Sequence, residues 1–251
     1  MRVGVRVNKP ELLAPVADCI PFRARRSQSP QVDYLYSVLA GKSDVDSRAR
    51  NYHLLYVNAR RLVRTFDLRE LMAALRYEIP EVIAHGAKGR LLLHAGAVAF
   101  KGKALLMPGR SRGVATLVAE LVRAGGEFYS DRFAQLNADG RLRADPFPSM
   151  GASEGQADFA RREKSRNATR RPGIPVGLIA FMEHQHDGIS KPQNLTPGQA
   201  LLSLLEYAPA SWMQPRVSME ILHKLAASVT AVRGHCGEAA LLVEPLLQRL
   251  T

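Results

Sequence analysis

Apolar and polar positions alternate from the first residues, so that Met1 to Asn8 reads as an alternating strand. Up to residue 50 the pattern predicts strands and turns, broken by a polar Ser-Gln-Ser-Pro stretch. Tyr52 to Val57 and Arg60 to Phe66 predict a hairpin that turns at Asn58-Ala59. Asp67 then caps a helix, with Glu70 placed to close a capping box. Leu68, Leu71, Met72 and Leu75 recur at the spacing of one face of that helix.

The middle of the chain is more apolar. Leu91 to Phe100 predicts a buried strand bent at Gly96, and Lys103 to Met107 a second, stopped by Pro108-Gly109. From Thr116 the period becomes helical: Leu117, Val118, Leu121 and Val122 share a face, Glu120 and Arg123 point out, and Gly125-Gly126 ends the run. Ile174 to Met182 predicts another buried strand. Thr196 with Pro197 in the first turn opens a helix reaching about Tyr207, and Ser218 to Val229 and Glu238 to Leu250 predict two more. No internal repeat is visible. The expectation is one α/β domain over residues 1–251, with an N-terminal strand region (1–50), a core (51–190) and C-terminal helices (191–251).

Composition sets the bounds. A chain of 251 residues with 46% apolar content can bury a substantial core. Cys19 and Cys236 form neither a disulfide framework nor a metal-binding pattern, which suits a reducing compartment. The N-terminus lacks the apolar core of a signal peptide, and no run approaches the roughly 20 apolar residues that span a bilayer. A cytoplasmic protein with no membrane association is expected. The net charge of +12 is concentrated partly in Arg23-Ala24-Arg25-Arg26 and in the Arg161–Arg171 stretch. Residues 151–173 are poor in apolar side chains, and a solvated loop is the first reading of them. An acidic protein or peptide partner ranks next. Nucleic acid ranks last, because no aromatic residues interleave the charges and no zinc or helix-turn-helix pattern accompanies them.

The candidate chemistry lies between the two apolar strands and the helix. Met107 to Leu117 reads Met-Pro-Gly-Arg-Ser-Arg-Gly-Val-Ala-Thr-Leu, which has the outline of a phosphate-binding loop. Such a loop runs Gly-x-x-x-x-Gly-Lys-Ser/Thr: its backbone N–H groups close round phosphate oxygens, its lysine neutralises them and its hydroxyl holds magnesium. Here Gly109 and Gly113 stand one residue too close, Val114 occupies the lysine position and Ala115 the hydroxyl position.

The flanking residues carry a resemblance. His94-Ala95-Gly96-Ala97-Val98, Gly102 to Leu106, Pro108-Gly109-Arg110-Ser111, Thr116 to Gly125 and Tyr129-Ser130-Asp131 resemble the bacterial HPr-kinase-like proteins. These are phosphate-loop kinases whose core is similar to that of HPr kinase/phosphorylase and phosphoenolpyruvate carboxykinase. The likeness continues through Asn137 to Arg141, Pro146 to Pro148, Leu195 to Leu201 and Arg233 to Ala239, covering roughly residues 50–250. It implies a mixed β-sheet core like the C-terminal domain of HPr kinase, with a strand–turn–helix phosphate loop and a helical C-terminal end. It also implies that Gly109, Arg110, Ser111, Arg112, Gly113 and Thr116 form the phosphate loop. By the same likeness, Asp131 is the first of the family's two acids and His94 a histidine near the active site. The second acid is replaced by Arg132, a reversal of charge.

Phosphoryl transfer depends on positioning and charge neutralisation, so these losses count heavily. Replacing the lysine removes a hydrogen bond to a charged group worth about 1.5–3 kcal/mol. Arg110 and Arg112 could return positive charge in another geometry, and a helix N-terminus binds anions through its backbone. The leading expectation is therefore a degenerate kinase that binds a protein or peptide partner without cofactor. The alternative is an active kinase phosphorylating a Ser, Thr or peptide hydroxyl, which would need ATP and magnesium. A basic nucleic-acid-associated module comes third. HPr kinase is an oligomer, and a homo-oligomer is carried over only by analogy of fold. His184, His186 and His235-Cys236 suggest a metal site weakly, and Trp212 reads as a packing anchor. Ser111 lacks the partners of a hydrolase nucleophile.

Overall fold

A computed structural model describes residues 1–20, 24–41, 52–86, 89–143, 173–184, 192–209, 211 and 214–250. Arg23, the stretch Pro146 to Pro148, the basic segment 161–171, His186 and Trp212 lie outside the described residues, as do the side chains of Arg112, His184 and Cys236. The chain is mixed α/β and divides into two compact units, Met1–Gly86 and Ala87–Thr251.

The first unit is a four-stranded mixed sheet in the order β1-β2-β3-β4. Its strands are β1 (Val3–Val7), β2 (Tyr34–Leu39), β3 (His53–Val57) and β4 (Arg60–Thr65). β1 and β2 are parallel, whereas β2, β3 and β4 are antiparallel neighbours. The β3–β4 hairpin turns at Asn58-Ala59, as its sequence predicts. Asn58 adopts a φ of 51° there, which its short amide side chain tolerates. Its carboxamide oxygen accepts the Leu35 N–H at 2.9 Å, tying the turn to β2.

Two local expectations for this unit are corrected. A 3-10 turn (Pro10–Leu12) and the short helix α1 (Leu13–Ala17) interrupt the predicted strands, started by Pro10 and tucking Leu12 and Val16 into the core. Helix α2 (Leu68–Gly86) begins after Asp67, whose carboxylate accepts the Arg69 N–H at 2.8 Å as the predicted cap, while Glu70 is engaged elsewhere than in the predicted box. Its carboxylate instead accepts the Thr65 hydroxyl, and the Thr65 oxygen accepts the Asp67 N–H at 3.0 Å. Leu71, Met72, Leu75 and Ile79 of α2 cover the sheet, with Tyr36, Val38 and Leu55 beneath them.

The second unit is built on an eight-stranded mixed sheet in the order β11-β12-β10-β6-β5-β8-β9, with β7 also paired to β5. Its long strands are β5 (Leu91–Phe100), β6 (Lys103–Pro108) and β10 (Val176–His184). The shorter ones are β7 (Glu127–Ser130), β8 (Phe133–Leu136), β9 (Leu142–Arg143), β11 (Gln193–Leu195) and β12 (Thr230–Cys236). β6, β10 and β12 are parallel neighbours, while β5 runs antiparallel to β6.

Helices cover both faces of this sheet, as continuous apolar strands require. One core joins β5, β8 and β10 with α4 (Pro197–Glu206) and α5 (Pro215–Ser228). The other joins Val98, Leu105, Met107 and Leu178 with α3 (Arg112–Arg123) and α6 (Val243–Leu250). α4 starts on the predicted Thr196 cap, where Thr196 and Gln199 form a complete capping box.

The C-terminal part is not wholly helical. β11 and β12 enter the sheet there, since Ala231 and Val232 are apolar enough to be buried beside β10. Glu238 opens a 3-10 turn (Ala239–Leu242) before α6 rather than one continuous helix. Among the described residues no helix is long and apolar enough to cross a membrane.

Candidate functional site

The connection between β6 and α3 is where the candidate loop residues fall. β6 ends at Pro108 and α3 begins at Arg112, four residues before the predicted start. Ser111 holds the extended backbone of a helix cap (φ −82°, ψ 159°), and the Val114 N–H bonds back to its carbonyl at 3.2 Å. Gly113 therefore lies in the first helical turn rather than in a loop. Only Gly109, Arg110 and Ser111 remain as connector between β6 and α3.

Val114 explains why the helix can start so early. It is 6% exposed, and its methyl groups fill the space that Gly96 and Gly109 leave open. A Cβ on Gly109 would stand 2.5 Å from Val114 Cγ2, and one on Gly96 would stand 2.7 Å from Val114 Cγ1. A lysine in a working loop points away from the sheet towards phosphate. Val114 turns inward and packs on the strand.

His94 and Asp131 come close along the backbone on the neighbouring strands. The His94 carbonyl accepts the Gly109 N–H at 2.9 Å, and the His94 N–H donates to the Tyr207 carbonyl at 2.8 Å. Ala95 N–H donates to the Arg132 carbonyl at 2.8 Å, while the Ser130 hydroxyl donates to the Ala95 carbonyl, also at 2.8 Å. β5 thus changes partner here, pairing with β8 up to His94 and with β7 from Ala97. The segment Ser130-Asp131-Arg132 bridges the change. Asp131 is 7% and His94 3% exposed, and the His94 ring lies 4.7 Å from the Phe133 ring. Beside them, burial pushes the Tyr129 phenol up from its ordinary value.

A cavity of about 450 Å³ opens where the connector meets α3. It sits where the parallel strands β6, β10 and β12 reach their carboxyl ends, the usual place for ligands in open α/β sheets. Ser111, Gly113 and Thr116 line it, together with Met107, Pro108, Val114, Leu117, Ala180, Met182, Glu183, Gly237, Ala239 and Leu242. Gly109, Arg110, His94 and Asp131 are not part of this lining. The Arg110 guanidinium donates instead to the Glu206 carbonyl at 3.4 Å, at the C-terminal end of α4, where a cation suits the helix dipole.

Glu183 is the one charged side chain among the described lining residues. Strand register places it opposite His235, whose Nδ1 lies 3.6 Å from Glu183 Oε2. The same register sets His184 opposite Cys236, a proximity that linear spacing could not supply. Among the described residues no three potential ligands gather into a metal site. Glu183, Met182 and Leu242 escaped the sequence reading. Met182 and Glu183 reach the cavity through the parallel pairing of β10 with β6 and β12, and Leu242 through the 3-10 turn after β12, none of which leaves a mark on local periodicity.

Compared with protein-family models the chain matches none, and no curated protein matches it either.

Proposed function

We propose that this chain is an HPr-kinase-like scaffold that has lost phosphoryl transfer and works as a binding or regulatory subunit for a protein or peptide partner. The likeness of its motifs supplies the scaffold. The buried Val114, seated against Gly96 and Gly109 in place of an outward lysine, carries the loss of chemistry.

Three further features support the reading. The connector is three residues long, Arg132 stands where a second acid would assist Asp131, and Glu183 faces the cavity that a polyanion would enter. Without the lysine, a contact worth about 1.5–3 kcal/mol is missing, which is roughly a ten- to hundredfold loss in affinity. A carboxylate in the wall adds to that loss.

Calorimetry with ATP and magnesium, together with a radiolabelled transfer assay on acceptor peptides, tests the proposal. Neither saturable, magnesium-dependent binding at micromolar ATP nor label transfer is expected. Tight magnesium-dependent ATP binding, with transfer abolished in Asp131→Ala, would overturn it in favour of an active kinase with an unusual loop.

A further inference from the structure

The cavity beside the connector has a chemistry of its own. Its lining is mostly apolar, with Met107, Val114, Leu117, Met182 and Leu242, joined by Ser111, Gly113 and Thr116 and by Glu183 as the charged side chain among the described lining residues. A volume of about 450 Å³ is in the range of small-molecule sites. The thioethers of Met107 and Met182 adapt to irregular shapes and make favourable contacts with aromatic rings. Glu183 sets the sign for a charged group placed against it, while the start of α3 at Ser111 and Gly113, also in the lining, is the part of the wall that would favour an anion. A carboxylate or phosphate would bring like charge towards it, whereas an ammonium would meet an acceptor. Its neighbour His235 holds Nδ1 3.6 Å from Glu183 Oε2.

From this we propose that the cavity binds a compact apolar group, best an aromatic one, that carries a protonated amine. The apolar body lies between the methionines and leucines, and the amine reaches Glu183. The inference rests on the reading of this cleft as one that no longer serves nucleotide. Two sources offer the same chemistry: a free small amine, or the amino end of a partner peptide that begins with an aromatic residue.

The test is titration of the full chain with 2-phenylethylamine, 3-phenylpropionate and 3-phenylpropanol, followed by calorimetry or by NMR shifts of the cavity methionine methyls. The amine is expected to bind most tightly and the acid least. Glu183 is 64% exposed, so its charge is screened, and its preference for the amine over the alcohol should be about threefold. Glu183→Gln should erase that preference while leaving alcohol binding and the thermal midpoint unchanged. Ala239→Leu, which narrows the cavity at a half-buried position, should weaken all three probes.

The tripeptide Phe-Gly-Gly and its N-acetylated form separate the two sources. Tighter binding of the free-ended peptide than of phenylethylamine assigns the site to a peptide end, and the reverse order to a small amine. Equal binding of acid and amine, or an amine preference that survives Glu183→Gln, overturns the inference. Absence of any saturation overturns it too, and silence of magnesium-ATP in the same sample leaves the loss of transfer intact. Magnesium-ATP binding that displaces the amine would instead sink the functional proposal.

Discussion

Glu78 shows how a single half-buried group sets a pH dependence. It lies on α2, where burial raises its carboxyl above the ordinary 4.5, with Arg60 acting against the shift and Glu81 adding to it. The folded chain therefore holds this proton more tightly than the unfolded chain does. Its contribution to stability is fully present below pH 4.5 and is lost as pH rises through the folded value. Glu78→Gln, which stays neutral, should raise the urea midpoint at pH 7 and lose that advantage at pH 4. An equal gain at both values would show that packing, and not ionisation, is responsible. The same helix carries the Glu78 carbonyl that accepts the Tyr36 hydroxyl at 3.3 Å, and burial pushes that phenol well up. At this scale the sequence told which residue stood in each loop position, but not where its side chain points. Val114 could be read as a missing lysine. That it is a wedge against two glycines depends on atoms brought together from β5 and the connector.

The packing of α3 on β5 is the element-level counterpart. A Cβ at Gly96 would stand 2.5 Å from Val118 Cγ2 and 2.7 Å from Val114 Cγ1, both on β-branched, buried side chains that cannot swing aside. Gly96→Ala should therefore cost about 1–3 kcal/mol in chemical denaturation, as overpacked cores do. Val118→Ala in the same chain should recover part of the loss. A neutral Gly96→Ala would mean that α3 rides further from the sheet. Elements of this kind were the most legible ones. β5, β6, the β3–β4 hairpin, α2 and α4 announce themselves through long apolar runs, a clear turn or a proper cap. The start of α3 was read four residues late because Gly113 has poor helix propensity, and the packing of Val114 overrides that preference. β7 and β8 are only four residues each, too short for alternation to show, and their pairing with β5 is what orders them.

On the scale of the molecule, the chain holds separate interiors. Tyr36, Leu55, Leu71 and Leu75 gather in the Met1–Gly86 unit. None of them shares a cluster with the residues that pack round β5, β6 and β10 in the Ala87–Thr251 unit. Sequence patterning drew its first boundary near residue 50. It had no means of seeing that β3, β4 and α2 complete the core that β1 and β2 begin. The two interiors make a prediction about cooperativity. Leu71 is fully buried, so Leu71→Ala should cost about 2–5 kcal/mol within its own unit. Hydrogen exchange read by mass spectrometry should then accelerate across β1 to β4 and α2, while amides of β5, β6 and β10 keep their protection. Equal acceleration in both units would show that they unfold as one body. Acceleration confined to the first would make the Met1–Gly86 unit a separate module beside the one that carries the cavity, and would locate the binding chemistry proposed here in residues 87–251 alone.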